Sequence, residues 1–461
     1  GDAMSDFDVI VVGAGAAGTS AALVAARGGL RTALLERGPY PGAKNLMGGV
    51  LYTDVLAEIL PGFRAAGAPL ERHVAKKGMS VLSARGETAT SFRTAAWDEA
   101  PHNHAHTVLR ARFDRWYAAQ AEAAGAELVS GVVVDRTLKD AAGRVTGVSV
   151  RVPEGDPAAD GELHAPLVIL ADGANSLLAE AEGLRPPLEA GQVALGVKEI
   201  LALDSARIDE RFGVSGEQGV AWEYVGEATA GLRGAGFLYT NRDSLSVGVV
   251  VYAADLADSG LTPVELLDRF KAHPAVAPLV AGGELLEYGA HMIPETGFDR
   301  LPLLARDGLL LAGDAAGLVS TSPQHEGSNY AMASGKMAAE TALEAHAKGE
   351  FSAAVLSGYR RRLEDSFVLQ DMEHYRDWPG FVAANPQVFR SWPGALTDMA
   401  EALLRVGGGP RKGRGAELWE LFQRRVGVLP AAMTGLQLRN ALRLLGYGKT
   451  DKILDYLAKN W

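Results

Sequence analysis

Residues 7–36 read FDVIVVGAGAAGTSAALVAARGGLRTALLE, and this stretch decides the fold. Phe7–Val12 is a short β-rich apolar run, Gly13-Ala14-Gly15-Ala16-Ala17-Gly18 is a glycine turn, and Thr19–Arg27 is a stretch of helix formers. That order puts Gly13 at a tight turn, Gly15 where a backbone must approach a pyrophosphate, and Gly18 where helix and strand pack closely. The first helical N–H groups and the helix dipole then face the phosphates. A second strand, Arg31–Leu35, ends in Glu36, 18 residues after Gly18, where a carboxylate can accept both hydroxyls of an adenosine ribose. An acid there favours a free 2′-hydroxyl, and so FAD or NAD over NADP.

Further along, the apolar run Gly308–Ala312 leads into Gly313-Asp314-Ala315-Ala316-Gly317, then Glu326-Gly327-Ser328-Asn329 and a small-residue helix, Tyr330–Ala345. An acid at a strand end can bind ribityl hydroxyls, and N–H groups at a helix start can stabilise negative charge on a reduced isoalloxazine. Leu167–Ala171, ending at Asp172-Gly173, is a third strand end of the same kind. A second dinucleotide site is not expected, because Gly234-Ala235-Gly236 runs into the strand-like Phe237–Tyr239 with no helix behind it. The cofactor expected is therefore a single FAD.

Outward from these motifs, the chain has 461 residues, 45 Lys+Arg against 56 Asp+Glu for a net charge of −11, and no cysteine. The missing cysteines exclude disulfides, thiol nucleophiles and cysteine-ligated iron–sulfur clusters within this sequence. The acidic balance argues against nucleic acid as a partner, since tracking phosphates needs clustered excess Lys and Arg. No apolar run of spanning length occurs and Val9–Val12 is too short and too acid-flanked for a signal peptide, so a cytoplasmic protein is expected.

Taken together, Gly13–Gly18 with Glu36, Arg110 within Val108–Asp114, Ala171-Asp172-Gly173 and Gly313–Gly317 resemble the glutathione-reductase-type FAD superfamily of hydroxybenzoate hydroxylases and geranylgeranyl reductases. Tyr40–Gly49, Gly236–Asn241, Phe270–Pro274, His325–Asn329 and Asp365–Val368 are more similar still to the electron-transfer flavoprotein:quinone oxidoreductases, in particular their short FixC-type branch. The resemblance implies an α/β and α+β fold: a Rossmann FAD-binding domain, an inserted antiparallel-sheet substrate domain, and a helical C-terminal region. The FAD-binding domain is expected over 4–80, 107–185 and 285–345, the substrate domain over 186–284 with 80–107 contributing, and the helical region over 346–461. Strands are expected at Val193–Glu199, Gly219–Val225, Gly236–Thr240, Leu245–Tyr252 and Glu284–His291, from turn-punctuated spacing.

The same resemblance implies cofactor contacts from Gly13, Gly15, Ala16, Ala17, Gly18, Glu36, Arg37, Lys44, Asn45, Gly48, Gly49, Arg110, Val133, Ala171, Asp172, Gly173, Gly313, Asp314, Gly327, Ser328 and Asn329. Arg110, after the short β-run Thr107–Leu109, can pair with the pyrophosphate or be a surface arginine, and the family pattern favours the phosphate. Lys44 can stabilise an anionic reduced flavin, and Lys44, His325 and Glu326 are the candidates for a catalytic part, with structural support of the loop as the plain alternative for the last two. His102, His104 and His106 would share one face of a strand, but Pro101 and Asn103 favour a solvated loop over a metal site. Trp378, Trp392, Trp419 and Trp461 mark the C-terminal region as either helices packed on the FAD domain, which is favoured, or an interfacial patch making peripheral membrane contact. Two functions stay open ahead of a third and least favoured reading, a flavin-binding protein without turnover. One is electron transfer from an electron-transfer flavoprotein to a quinone or a separate ferredoxin-like protein. The other is a reductase, dehydrogenase or monooxygenase acting on an isoprenoid or other small organic substrate.

Overall fold

The structure is a computed structural model that describes residues 5–45, 48–153, 160–409 and 413–426. Its strands are β1 (Val9–Val12), β2 (Thr32–Glu36), β3 (Gly48–Tyr52), β4 (Leu70–Leu82), β5 (Glu87–Arg93), β6 (Ala105–Leu109), β7 (Glu127–Ser130), β8 (Val133–Lys139) and β9 (Val145–Arg151). They continue with β10 (Gly161–His164), β11 (Val168–Leu170), β12 (Val193–Ala202), β13 (Gln218–Gly226), β14 (Gly234–Thr240), β15 (Ser244–Tyr252), β16 (Glu284–Pro294), β17 (Ala305–Arg306) and β18 (Leu309–Leu311).

Six of these form one sheet in the order β17-β18-β11-β1-β2-β7, parallel except for the edge strand β17. Parallel strands covered on both faces read as continuous apolar runs, and VIVV, VIL and LLL are buried throughout. Because β1, β2, β11 and β18 run the same way, Gly13, Glu36, Ala171 and Gly313 all gather at one edge of the sheet, which is where ligands bind in open α/β sheets. The runs expected at Phe7–Val12, Leu167–Ala171 and Gly308–Ala312 shorten by one or two residues to β1, β11 and β18, Arg31–Leu35 shifts by one to β2, and the helix after β1 starts at Ala16 instead of Thr19, with Gly15 as its N-cap. Helix Ser328–Lys348 likewise takes Ser328 and Asn329 into its first turn and is N-capped by Gly327.

The second large sheet has the order β16-β12-β15-β14-β13-β4-β6-β3, with β5 paired to β4. Its neighbours are antiparallel except β13 and β4, so a parallel seam joins the strands read from the sequence to β3–β6, from upstream in the chain. A third, three-stranded sheet is β10-β9-β8. Two main cores result, one around the parallel sheet and one around β12–β15 with the helix Pro263–Ala272, and a small third cluster joins Val74 of β4, Ala105 of β6 and Ala221 of β13.

The C-terminal helices meet one expectation in part: Ala353–Leu356, Gly358–Glu364 and Phe367–His374 pack on helix Ser328–Lys348 and share the core of the parallel sheet. Helix Trp392–Leu404 packs on β4 and β5 instead of on the parallel sheet. Trp419 is 51% exposed and stacks only on its own helix neighbour Phe422, while Trp461 lies outside the described residues. The histidine triplet is split as well: the strand begins at Ala105, so His106 is buried in β6 and burial lowers it to about 4, while His102 and His104 stay in the preceding loop. Among the described residues no group of three or more His, Cys, Asp or Glu can hold a metal.

Helices Ala16–Arg27 and Ser328–Lys348 cross in direct backbone contact. A Cβ on Gly335 would fall 2.0 Å from the Ala17 carbonyl oxygen. Gly335→Ala must therefore push the helices apart. The expected cost is about 1–3 kcal/mol of unfolding free energy, read by denaturant titration, with weakened retention of cofactor on gel filtration.

Candidate active site

A cavity of about 590 Å³ separates the edge of the parallel sheet from one face of the large sheet. Its floor comes from Gly15, Ala16, Ala17, Ala171, Gly173 and Asp314, and its end wall from the loop and helix start that carry His325 to Asn329. Gly13 (φ +98°) turns the chain beneath this floor, where a Cβ would meet the Ala171 carbonyl oxygen at 2.4 Å. Gly18 packs the helix onto that turn, since its Cβ would sit 1.8 Å from the Gly13 carbonyl oxygen. A Cβ on Gly15 would meet no atom within 4 Å, so of these three glycines it is the one whose backbone is open to the cavity.

Glu36 is already oriented. Its carboxylate accepts N–H groups from Ala14 at 3.1 Å and Gly38 at 2.6 Å. Each oxygen keeps a lone pair for a diol. Val132 donates its N–H to the Glu36 carbonyl, which places Val133, the first residue of β8, beside the same strand end, away from the main cavity. Arg37 is exposed and acts electrostatically on Asp172. Burial raises the Asp172 carboxyl, although Ser176 donates to it at 2.6 Å.

Arg110 is half-buried or better, not on the surface: its Nε and Nη2 donate to Asp114 at 2.7 and 2.9 Å, and it lines the cavity. Burial works against its charge, but Asp114 outweighs burial and keeps the guanidinium above its usual value. Asn45 donates to the same Asp114 at 3.2 Å and also lines the cavity, with Gly49 of β3. Gly48 precedes it, paired with Leu109. Lys44 is placed differently from the expectation: the turn Pro41–Lys44 leaves it exposed and off the cavity wall, and Asn45 is the residue turned inward.

At the other strand end, Gly313 donates its N–H to Ser334 Oγ at 2.9 Å, and Asp314 Oδ2 stands 3.9 Å from His291 Nε2. Gly327, Ser328 and Asn329 face the cavity, and Glu326 accepts from Asn329 Nδ2 at 3.0 Å. His325 holds φ +50°, an uncommon conformation for a non-glycine residue, and lines the cavity.

Several wall residues had no motif to announce them. Lys77, Ala221, Glu223 and Tyr239 share one sheet face because Lys77 pairs with Ala221, Ala221 with Tyr239, and Glu223 with Met79. Lys198 lies on the same face, through Gly248 and Phe237, but it is buried and does not line the cavity. Its ammonium is buried with no hydrogen-bond partner, and burial next to the Arg110 charge lowers it from 10.5 to about 7. Two adjacent cations, one of them without an acceptor, fit a bound anion. Period-two alternation would have grouped Ala221 with Glu223, but only strand register brings Lys77, Lys198 and Tyr239 beside them.

Residues 8–184 match the FAD dependent oxidoreductase family and residues 193–293 match the family described as ETF-QO, ubiquinone-binding. The chain is 42% identical over 412 residues to the probable electron transfer flavoprotein-quinone oxidoreductase YdiS of Escherichia coli, covering 89% of this chain and 93% of that protein. It is 40% identical to protein FixC of Azorhizobium caulinodans, covering 88% and 92%. The chain belongs to the FixC and electron transfer flavoprotein-quinone oxidoreductase family. Among solved structures, a geranylgeranyl bacteriochlorophyll reductase-like protein of Thermoplasma acidophilum shares the fold, with a TM-score of 0.68 at 20% identity over 93% of this chain and 99% of that one. The myxobacterial chondrochloren halogenase CndH shares it with a TM-score of 0.61 at 18% identity over 91% and 90%. This FixC-family protein is therefore a FAD-dependent oxidoreductase, and the open Gly15 backbone, the oriented Glu36 and the cation pair fit the cofactor's phosphates, ribose and anionic reduced ring.

Lys198 generates a two-part expectation. Its protonation is favoured at 10.5 in the unfolded chain and at about 7 in the folded one, so the folded apoprotein carries the full penalty below pH 7 and none above 10.5. Lys198→Met should thus stabilise the apoprotein most below pH 7. In the FAD-loaded protein the same change removes a cation, and the flavin midpoint potential should fall by ~30 mV, about 1.4 kcal/mol for a two-electron couple, in a dye-equilibrated redox titration.

Proposed function

We propose that this chain takes electrons from a reduced electron-transfer flavoprotein and passes them to a quinone. The observation that carries this reading is positional: the segment matching the ubiquinone-binding family, 193–293, contributes Ala221, Glu223, Tyr239 and His291 to the cavity wall opposite the cofactor-binding floor. The relatives' names point the same way. Bound FAD supplies two-electron redox chemistry. The chain's own part is to orient it, through the backbone at Gly15 to Ala17, the Glu36 carboxylate and the Arg110–Asp114–Asn45 set, and to keep the acceptor against the opposite wall.

Tyr52, Lys77 and Thr90 to Phe92 give that wall a mixed apolar and hydrogen-bonding lining. Lys77 Nζ donates to Tyr52 at 2.7 Å. Such a surface suits a neutral ring carrying carbonyl oxygens, with a few placed polar groups fixing its orientation. With no cysteine in the chain, any one-electron relay belongs to a separate ferredoxin-like protein.

The test is anaerobic reduction of the purified yellow protein. Reduced electron-transfer flavoprotein should bleach the flavin band, and a soluble ubiquinone analogue should restore it. Rapid bleaching by NADH or NADPH, with none by the flavoprotein, overturns the reading, and oxygen uptake that depends on an added organic substrate favours direct chemistry on that substrate.

Membrane contact belongs to the same proposal. No helix among the described residues is long and apolar enough to cross a bilayer, but Leu396, Leu403, Leu404 and Trp419 are exposed in the C-terminal helices and Val406 in the loop after Leu404. Exposed apolar groups of this kind suit a peripheral contact. Flotation of the intact protein with liposomes should carry it upward, and Trp419→Glu should reduce the floated fraction.

A further inference from the structure

Among the cavity-lining groups, Glu223 is the carboxyl that no cofactor motif explains. It projects from β13 on the face that roofs the cavity, flanked in register by Met79 of β4 and Phe237 of β14. No hydrogen bond reaches its carboxylate among the described residues, whereas Asp172, Glu36 and Glu326 each accept one. The charged and titratable groups that face it are His325 and Glu326 from the end-wall loop, Lys77 from β4, Tyr239 from β14 and Tyr52 from β3. Burial raises its carboxyl above the ordinary glutamate range, and His325 and Lys77 pull against that rise without cancelling it. A carboxyl with these surroundings keeps its proton closer to neutral pH than an exposed glutamate does.

His325 is its route to water. The imidazole is exposed, lines the same cavity and is held there by a backbone at φ +50°. Its backbone N–H is tied to the Ser322 carbonyl at 3.1 Å, and Ser320 donates to the Glu326 carbonyl at 2.9 Å, so the loop is closed on itself with the ring at its tip.

We propose that Glu223 is the proton donor to a quinone oxygen in this cavity and that His325 returns the proton to it from solvent. The proposal rests on the reading above that the acceptor is a quinone. The reduction takes two electrons, supplied by the reduced cofactor, and two protons. The Glu223 O–H bond breaks as a quinone O–H bond forms, leaving a carboxylate. An imidazolium N–H of His325 then breaks to restore the acid and His325 recovers its proton from water, while the quinol's second proton is the one released with the two electrons as the anionic reduced cofactor is reoxidised. Positioned proton transfer of this type contributes about 10²–10⁴-fold to a rate.

Stopped-flow reoxidation of the dithionite-reduced holoprotein tests it with two acceptors, a soluble ubiquinone analogue that needs protons and ferricenium, which takes single electrons and none. Glu223→Gln should slow the quinone reaction about 100-fold or more while its ferricenium reaction, the control for fold and cofactor, stays near that of the parent protein. The parent's quinone rate should fall as pH rises through the raised Glu223 value, and that limb should be lost in Glu223→Gln and retained in Glu223→Asp. His325→Gln should slow the quinone reaction less and make it respond to added imidazole. Infrared difference spectra should show, beside any bands of the raised Asp172 and Glu295 carboxyls, a protonated-carboxyl band in the parent that is missing in Glu223→Gln. An unchanged quinone rate and pH limb in Glu223→Gln, or equal slowing with both acceptors, overturns the role of Glu223 alone. If ferricenium but no quinone reoxidises the parent protein, the quinone reading falls and takes this inference with it.

Discussion

Everything about the site depends on how closely two backbones approach at Ala17. The Ala17 carbonyl oxygen lies where a Cβ on Gly335 would be, and a Cβ on Gly313 would meet the Ala17 side chain at 2.7 Å. Residues about 300 positions apart are thereby locked at near-contact distance. The helix that starts at Ala16 and the helix that starts at Ser328 each present unpaired N–H groups at their first turns, and this contact brings both starts to the same cavity. Any bulk at Gly335 would separate them, and the floor and end wall would no longer face one ligand. The small residues of helix Ser328–Lys348, which read in isolation as weak core formers, are what make the approach possible.

Legibility in the sequence followed the range of the constraint. Gly13, Gly18 and Glu36 are readable because the turn, the close packing and the carboxylate all act within one strand–turn–helix unit. The parallel strands are readable because continuous apolar runs such as VIVV and LLL have no other stable setting. The roof of the cavity is different. Glu223, Tyr239, Lys77 and Lys198 come together only through register across β4, β13, β14, β15 and β12, and a one-residue slip in any of these pairings would turn its residues to the opposite face. Nothing local in Ala221-Trp222-Glu223-Tyr224 distinguishes the acid facing the cavity from one facing water. Lys44 shows the converse limit. A segment can match a family closely and still, through one tight turn, present the neighbouring Asn45.

The Arg110–Lys198 pair and the roof carboxyl of Glu223 answer to different neighbours. Arg110 and Lys198 lie together at one side, with Asp114 neutralising the first and no acceptor for the second. Glu223, with its raised carboxyl and its two tyrosine neighbours, lies on the roof face away from the parallel-sheet floor. An anionic cofactor and a neutral acceptor make opposite demands, since the first needs excess positive charge and the second needs a donor that is uncharged until it acts. One cavity can meet both only if the two sets are kept apart, because a carboxylate beside Lys198 would pair with it and stay ionised.

That separation also gives the absent cysteines their meaning. A protein that holds its own iron–sulfur relay can draw electrons off one at a time through sulfur ligands, and the protons need not arrive with them. This chain has no such ligand. If the acceptor is reduced directly over the cofactor, two electrons and two protons must be managed in the same small space, and a neutral acid with a solvent-exposed base behind it is the minimal apparatus for that task. If instead a separate relay protein takes the electrons, no proton has to be delivered inside the cavity, and a half-buried carboxyl without a partner would be a cost to folding with nothing to offset it. The presence of Glu223 on that wall, unpaired and reachable from His325, therefore weighs in favour of direct two-electron reduction of a proton-accepting substrate.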